Sequence, residues 1–263
     1  MRPLIFLCAL LPLAGQTAAE RGKKVIDEAL AALGGEKFLA MRDRVEAGRG
    51  YAFSREQLSG LARLKIYSRY LTRPEPPQSG FVGLRERQAQ GKDEEGLITF
   101  TEGECWETTY RGARPMAGEQ VQRWRESLLR NILYILRQRL GEPGLEFRRL
   151  GSEVFENQPA EVVEIADNDG RVVNVWFHAS TKLPLKQSWV RRDPQTRQKI
   201  EEVTVFAKFR DVGGGVQWPW VIRRERNGEK IFEMFSELVV INQGLLDDMF
   251  TISEGTKVLP RKK

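Results

Sequence analysis

The chain predicts an α+β fold in which one antiparallel sheet carries a few helices. Three observations predict it. Apolar residues alternate over short segments on both sides of a single long helical stretch in mid-chain. The segments follow one another closely across turn residues, which favours antiparallel pairing. No Ser/Gly-rich linker, charge block or internal repeat divides the 263 residues, so one domain is expected.

The first residues read as an address. Arg2 supplies a positive charge, Leu4 to Leu13 form an apolar run interrupted only by Pro12, and Ala14 to Ala19 are small or polar. This pattern predicts a signal peptide over 1–19, cut before Glu20, and export. A spanning helix needs about 20 apolar residues, more than this run supplies. Cys8 lies too early, behind Ile5-Phe6-Leu7, to be a lipidated cysteine. Its removal leaves Cys105 alone, which excludes an internal disulfide even in an oxidising compartment. The domain is expected over 20–253, followed by a basic tail, 254–263, whose Arg261-Lys262-Lys263 end should fray.

Downstream, Val25, Ile26, Ala29, Leu30 and Leu33 recur at helical spacing and Gly34-Gly35 closes the helix; a short turn carries Phe38, Leu39 and Met41. The period then changes to two. Val45, Ala47, Tyr51 and Phe53 alternate, as do Ala62, Leu64, Ile66 and Tyr70 opposite Arg63, Lys65 and Arg69, giving an apolar and a wet face. Segments 80–88, 96–101 and 104–110 continue the series, the last two joined by Glu102-Gly103 as a tight turn. One helix is expected from Gly118 to Leu140, with an apolar arc wide enough to require burial, ended by Gly141, Pro143 and Gly144.

Strands resume and continue almost to the end. Val162–Ile165 and Val172–Phe177 flank the turn Asp167-Asn168-Asp169-Gly170, and Leu183–Val190 and Val203–Phe209 follow. Asn227-Gly228 suits a type I′ hairpin, which sets Trp220 opposite Phe235, Ile222 opposite Glu233 and Glu225 opposite Lys230. Both faces of the last strand are apolar: Phe232, Met234, Leu238 and Val240 on one, Ile231, Phe235, Val239 and Ile241 on the other. Each side therefore needs a cover, a helix or a ligand.

The inventory for catalysis is thin. His178 is the sole histidine, beside the turn Ala179-Ser180-Thr181, and no Gly-x-Ser-x-Gly elbow presents a nucleophile. One histidine and one mature cysteine cannot build the usual zinc sets; Asp167–Gly170 is too short for a calcium loop and lacks its closing Glu. Gly213-Gly214-Gly215 has no following helix or lysine to cradle phosphate. Cys105 reads as a small buried hydrophobe. No enzyme, cofactor or metal is expected. The 42 Lys+Arg against 36 Asp+Glu are dispersed, as on a solvated surface. Export argues against nucleic acid and leaves a modest attraction to anionic membranes.

Several pieces together resemble one family. Phe100-Thr101-Glu102-Gly103-Glu104-Cys105-Trp106 is similar to its strand-Gly-x-x-Trp hairpin, and His178-Ala179-Ser180-Thr181-Lys182-Leu183-Pro184-Leu185 to its Asp-x-x-Thr-Gly-Leu-Pro turn. With the early strands Val45 to Tyr70, Val216 to Pro219 and the closing run Val240 to Phe250, they resemble the LolA/LolB-like superfamily of periplasmic lipoprotein carriers. His178 stands where the family has an acidic residue, and Lys182 where it has glycine. The resemblance implies a strongly curved antiparallel sheet, an unclosed half-barrel whose concave face is covered by helices and binds acyl chains. It also implies an arginine on an early strand that holds the lid, with Arg85 and Arg87 as candidates.

On that reading Trp124, Leu128, Ile132 and Leu136 of the helix, with Trp106 and Phe235 of the sheet, line the groove. The expected partner is a lipid or a lipoprotein acyl chain, with transient inner- or outer-membrane contact, bound by a monomer. The rival is an envelope interaction module whose core is filled by its own side chains and whose basic face docks a membrane or protein. A hydrolase with carboxylates or His178 in a cleft ranks third.

Overall fold

A computed structural model describes residues 16–193 and 195–261. The apolar run Leu4–Leu13 thus lies outside the described residues. Helix α1 (Ala18–Ala32) begins at Thr17, whose side chain accepts from the Glu20 amide while Glu20 reaches back to the Thr17 amide, a reciprocal cap that falls across the expected cleavage point. The helix ends as its glycines require: Gly34 and Gly35 take positive φ, and their amides donate to Ala31 and Leu30. A single turn, α2 (Glu36–Leu39), buries Phe38.

The thirteen strands among the described residues form one antiparallel sheet, unclosed, with the order β6-β5-β4-β3-β2-β1-β13-β12-β11-β10-β9-β8-β7. They are β1 (Asp43–Ser54), β2 (Gln57–Tyr70), β3 (Leu84–Gln90), β4 (Gly96–Phe100), β5 (Trp106–Thr109) and β6 (Gly112–Pro115), then β7 (Glu146–Phe155), β8 (Gln158–Ala166), β9 (Val172–His178), β10 (Pro184–Arg192), β11 (Lys199–Asp211), β12 (Gln217–Arg226) and β13 (Glu229–Ile241). Two hairpin meanders, β1–β6 and β7–β13, meet where β1 pairs with β13. The mid-chain helices join β6 to β7, the two outer edges, so they must cross a whole face of the sheet.

That face is packed by α1, α2 and the second half of the mid-chain helical segment against Phe147, Val163, Ile165, Val173, Val175, Phe177, Phe206, Trp218 and Val239. Gly22 lets α1 lie directly on β7, because a Cβ there would meet the Phe147 carbonyl oxygen at 2.6 Å. The opposite face is covered at β1–β3 by the chain leaving β13: Leu245, Met249 and Phe250 pack on Val45, Tyr67 and Ala89. The chain then reaches the edge strand β6, where the Ala113 amide donates to Lys257 and the Leu259 amide to Ala113. Arg261 pairs with Glu104 at 2.7 Å. The tail expected to fray is thus docked through residue 261, shielding an edge that would otherwise offer unpaired amides.

Four other expectations are corrected. The helix over 118–140 is broken: α3 (Gly118–Leu129) stops, and Asn131 starts a second segment, α4 (Ile132–Tyr134), which runs into a π-helical turn over Ile135–Arg139. The Asn131 side chain accepts from the amides of Leu133 and Tyr134, competing with helix continuation. Glu102-Gly103 is not a tight turn, since β4 and β5 pair first at Thr99 and Trp106 across a wider loop, and β6, not anticipated, adds a further hairpin.

In the last hairpin Glu225 does face Lys230, but Ile231 bulges, so Ile222 faces Met234 and Val221, not Trp220, faces Phe235. Finally, the apolar alternations of β1 and β2 fall on opposite faces: Val45 lies opposite Tyr67, and Ile66 opposite Glu46. Arg44 and Glu46 therefore enter the dry, helix-side face. There Arg44 lies over the Trp218 ring at 3.9 Å and donates to Ser68, while Glu46 accepts from Trp218 and Ser236.

Candidate functional site

Helix α3 does not press flat on the sheet. Between it and the helix-side face is a hollow of about 400 Å³, within the range of small-ligand sites. Helix residues Trp124 and Leu128 form its roof with Gln120, Arg123 and Ser127. The floor comes from Glu86 and Gln88 of β3, Phe100 of β4, Trp189 and Arg191 of β10, Glu202, Val203 and Thr204 of β11, Arg224 and Arg226 of β12 and Ile231 in the β13 bulge. The Trp124 and Phe100 rings stack with centroids 4.4 Å apart and planes within 3°. Trp189, on the far side, carries the Arg130 guanidinium 4.5 Å above its ring.

The hollow is walled by fixed parts. The second half of the helical segment is riveted to its surroundings by buried polar groups. Gln187 accepts from the Ile132 amide at 2.8 Å, and Arg137 donates twice to the Met41 carbonyl, at 3.1 and 2.7 Å. Gln138 donates to the carbonyls of Leu71 and Gly83. The Tyr134 hydroxyl accepts from the Gly83 amide and donates to Phe81; burial pushes its pKa up to about 12, so it stays protonated. Arg139 pairs with both Glu142 and Asp167 and also donates to the Leu129 carbonyl, tying the end of α3 to the β8–β9 turn.

Of the residues expected to line a ligand groove, Trp124 and Leu128 stand over this hollow. Ile132 and Leu136 are fully buried in the core with α1 and the strands, because the break at Asn131 separates them from the α3 roof. Phe235 is on the other face of the sheet, 38% exposed and edge-on to Tyr51, since the Ile231 bulge inverts the alternation that placed it inside. Trp106 faces Thr99, which faces Arg87, so it too lies on the side away from Glu86 and Phe100.

Arg85 and Arg87 meet the short 3-10 helix Asp247–Phe250 rather than the mid-chain helices. Arg85 pairs with Glu102 and Asp247, and Arg87 with Glu94, while reaching towards the Met249 carbonyl. Both secure the C-terminal segment on the far face; the guanidiniums that fasten the mid-chain helices include Arg137 and Arg139, with Arg125 donating to the Gly80 carbonyl and Arg171 pairing with Glu126. Sequence reading missed the cationic side of the hollow. Alternation back from Asn227-Gly228 could have found it, as Arg226 and Arg224 share a face with Ile222 and Trp220.

Neither the histidine nor the cysteine is arranged for chemistry. His178 Nδ1 accepts the Ser180 and Thr181 amides at 3.1 Å, a turn-forming role. Cys105 is buried with Phe100 and Met116, and that burial pushes its thiol pKa up, away from thiolate reactivity. Among the described residues, no three His, Cys, Asp or Glu side chains are grouped to hold a metal.

No family model matches the chain, and no curated protein matches it in sequence. Solved structures do match its fold. An outer membrane lipoprotein-sorting protein domain from Vibrio parahaemolyticus, so described provisionally, superposes with a TM-score of 0.59 at 14% identity, covering 89% of this chain and 97% of that one. A DUF1329 family protein from Desulfovibrio piger gives 0.59 at 12% identity, covering 90% and 98%. A LolA superfamily protein from Nitrosomonas europaea gives 0.53 at 12%, covering 88% and 97%. The fold is LolA-like.

Proposed function

We propose that the protein is a periplasmic carrier or binding protein that holds an apolar ligand, a lipid or a lipoprotein acyl chain, between α3 and the sheet, without catalysis. One observation carries the reading: the hollow under α3 sets the apolar side chains of Phe100, Met116, Trp124, Leu128, Trp189 and Ile231 among polar groups in a space that the chain does not itself fill. Burying a hydrocarbon tail against such a lining contributes about 25 cal/mol per Å² of apolar area before ordering costs. The lipoprotein-sorting description of one structural neighbour supports the same class of cargo. Among the described residues no helix is long and apolar enough to cross a membrane, which accords with a carrier that moves between membranes.

The test is native mass spectrometry of protein purified from a bacterial periplasm, combined with titration of a fluorescent fatty acid. A co-purifying apolar adduct and saturable binding are expected. Protein that is empty in the first and silent in the second sinks the proposal. The self-filled interaction module keeps one observation in its favour: the half of the helix-side face beneath α1 and Ile132–Leu136 is packed shut. Pelleting with anionic liposomes that salt abolishes, together with an empty hollow, would select it.

A further inference from the structure

Trp124 and Leu128 on the roof and Trp189 on the far wall are apolar, yet four arginines, Arg123, Arg191, Arg224 and Arg226, open onto the hollow against two glutamates, Glu86 and Glu202. Arginine stems can serve as apolar wall, so their number alone decides nothing. What the guanidiniums pair with decides it. Glu202 serves two of them, Arg191 at 2.9 Å and Arg226 at 3.1 Å. Arg123 spends its charge on Glu119, one turn back on α3.

Arg224 has no ion pair among the described residues; its guanidinium lies 5.7 Å from the Phe232 ring and is otherwise exposed. Its neighbour Arg223, by contrast, turns to the other face and is paired with Glu156 and Glu225. Glu86 makes no ion pair with Arg224; it accepts from Gln88 at 2.6 Å, on a strand separated from β12 by β2, β1 and β13. One side of the hollow is therefore cationic, with a fork of donors free, and it adjoins Trp189 and Leu128.

We infer that the hollow selects amphiphiles with an anionic head, a carboxylate or phosphate monoester. The head sits on Arg224, beside Arg226 and Arg191, and the tail runs past Trp189 and Leu128 towards Trp124 and Phe100. This deepens the carrier reading and rests on it. A guanidinium donates two parallel hydrogen bonds to a carboxylate or phosphate, a geometry that a neutral head cannot match. A neutral head of the same chain length would leave that fork solvated and gain only the tail contact.

The experiment uses the full mature chain and four probes, dodecyl phosphate, dodecanoate, dodecanol and inorganic phosphate, read by quenching of tryptophan fluorescence at low salt. The two anionic amphiphiles should bind roughly tenfold more tightly than dodecanol, the scale of one charge-assisted contact. Arg224→Glu, at an exposed site, should erase that preference by weakening the two anionic chains about tenfold more than dodecanol, while Arg224→Lys should retain part of it. Equal affinity for the charged and neutral chains, or a preference untouched in Arg224→Glu, overturns the inference while leaving an apolar carrier standing. Inorganic phosphate binding as tightly as dodecyl phosphate overturns it in favour of a free-anion site. If none of the three chains binds, the carrier reading fails as well.

Discussion

Replacing Arg139 by methionine tests whether the helical cover is held by charge. The side chain is 3% exposed and meets carboxylates that are 4% and 1% exposed, Glu142 at 2.6 Å and Asp167 at 2.7 Å, besides the Leu129 carbonyl. Methionine keeps the stem and removes the guanidinium, so Glu142 is left buried without its cation. Asp167 keeps Arg171 at 3.2 Å. Stranding a buried charge in this way costs about 3–5 kcal/mol. In a chain of this size that corresponds to a fall in Tm of roughly 6–20 °C.

The pH profile adds a second check. Burial pushes the Asp167 carboxyl up, but Arg139, the Arg171 amide and the Arg171 guanidinium outweigh it and hold its pKa below the usual value. A depressed carboxyl stabilises the fold above its unfolded pKa, about 4, and that contribution is lost as pH falls through the lower folded value. Arg139→Met should therefore flatten the acid limb of stability against pH. Urea unfolding followed by circular dichroism, from pH 7 down to pH 3, measures both. A loss below about 1 kcal/mol at neutral pH, with the acid limb intact, would refute the argument that this cluster fastens the cover.

Asn131→Ala removes the cap of the second helical segment and should cost about 1 kcal/mol, seen as a lower urea midpoint. Gly48→Ala places a methyl 2.1 Å from the Phe235 carbonyl oxygen, a backbone atom that cannot step aside, and should destabilise by more than about 3 kcal/mol or prevent folding, measured by thermal melting. Trp124→Ala should weaken fluorescent fatty-acid binding by roughly tenfold through loss of roof and ring stacking, while Phe235→Ala, on the other face, should leave it unchanged.

Much of the architecture was legible because local chemistry determines it. Gly34-Gly35, Asp167–Gly170 and Asn227-Gly228 stop or turn the chain whatever surrounds them, and the alternation between them marks strands. What sequence did not disclose were departures of a single residue. Asn131 is an ordinary polar residue on a helical wheel until its side chain caps the amides beyond it, and that small act moves Ile132 and Leu136 from roof to core. Ile231, one unpaired residue, inverts Phe235.

Arg44 and Glu46 read as a wet face because alternation reports polarity and not depth. Only the helices packed above reveal that the pair is buried. The candidate site suffered most. Its helix half was visible in Trp124 and Leu128, but its floor is gathered from six strands that are distant in sequence, and no periodicity brings them together.

The seam between β1 and β13 has a consequence for biogenesis. The Arg42 amide bonds to Asn242 across 200 positions of chain, so an early strand waits for the last one before its outer ladder is satisfied. During vectorial synthesis or secretion the first meander is stranded with a bare flank along β1, a template for pairing with other nascent copies. Closure across so long a loop is intrinsically slow.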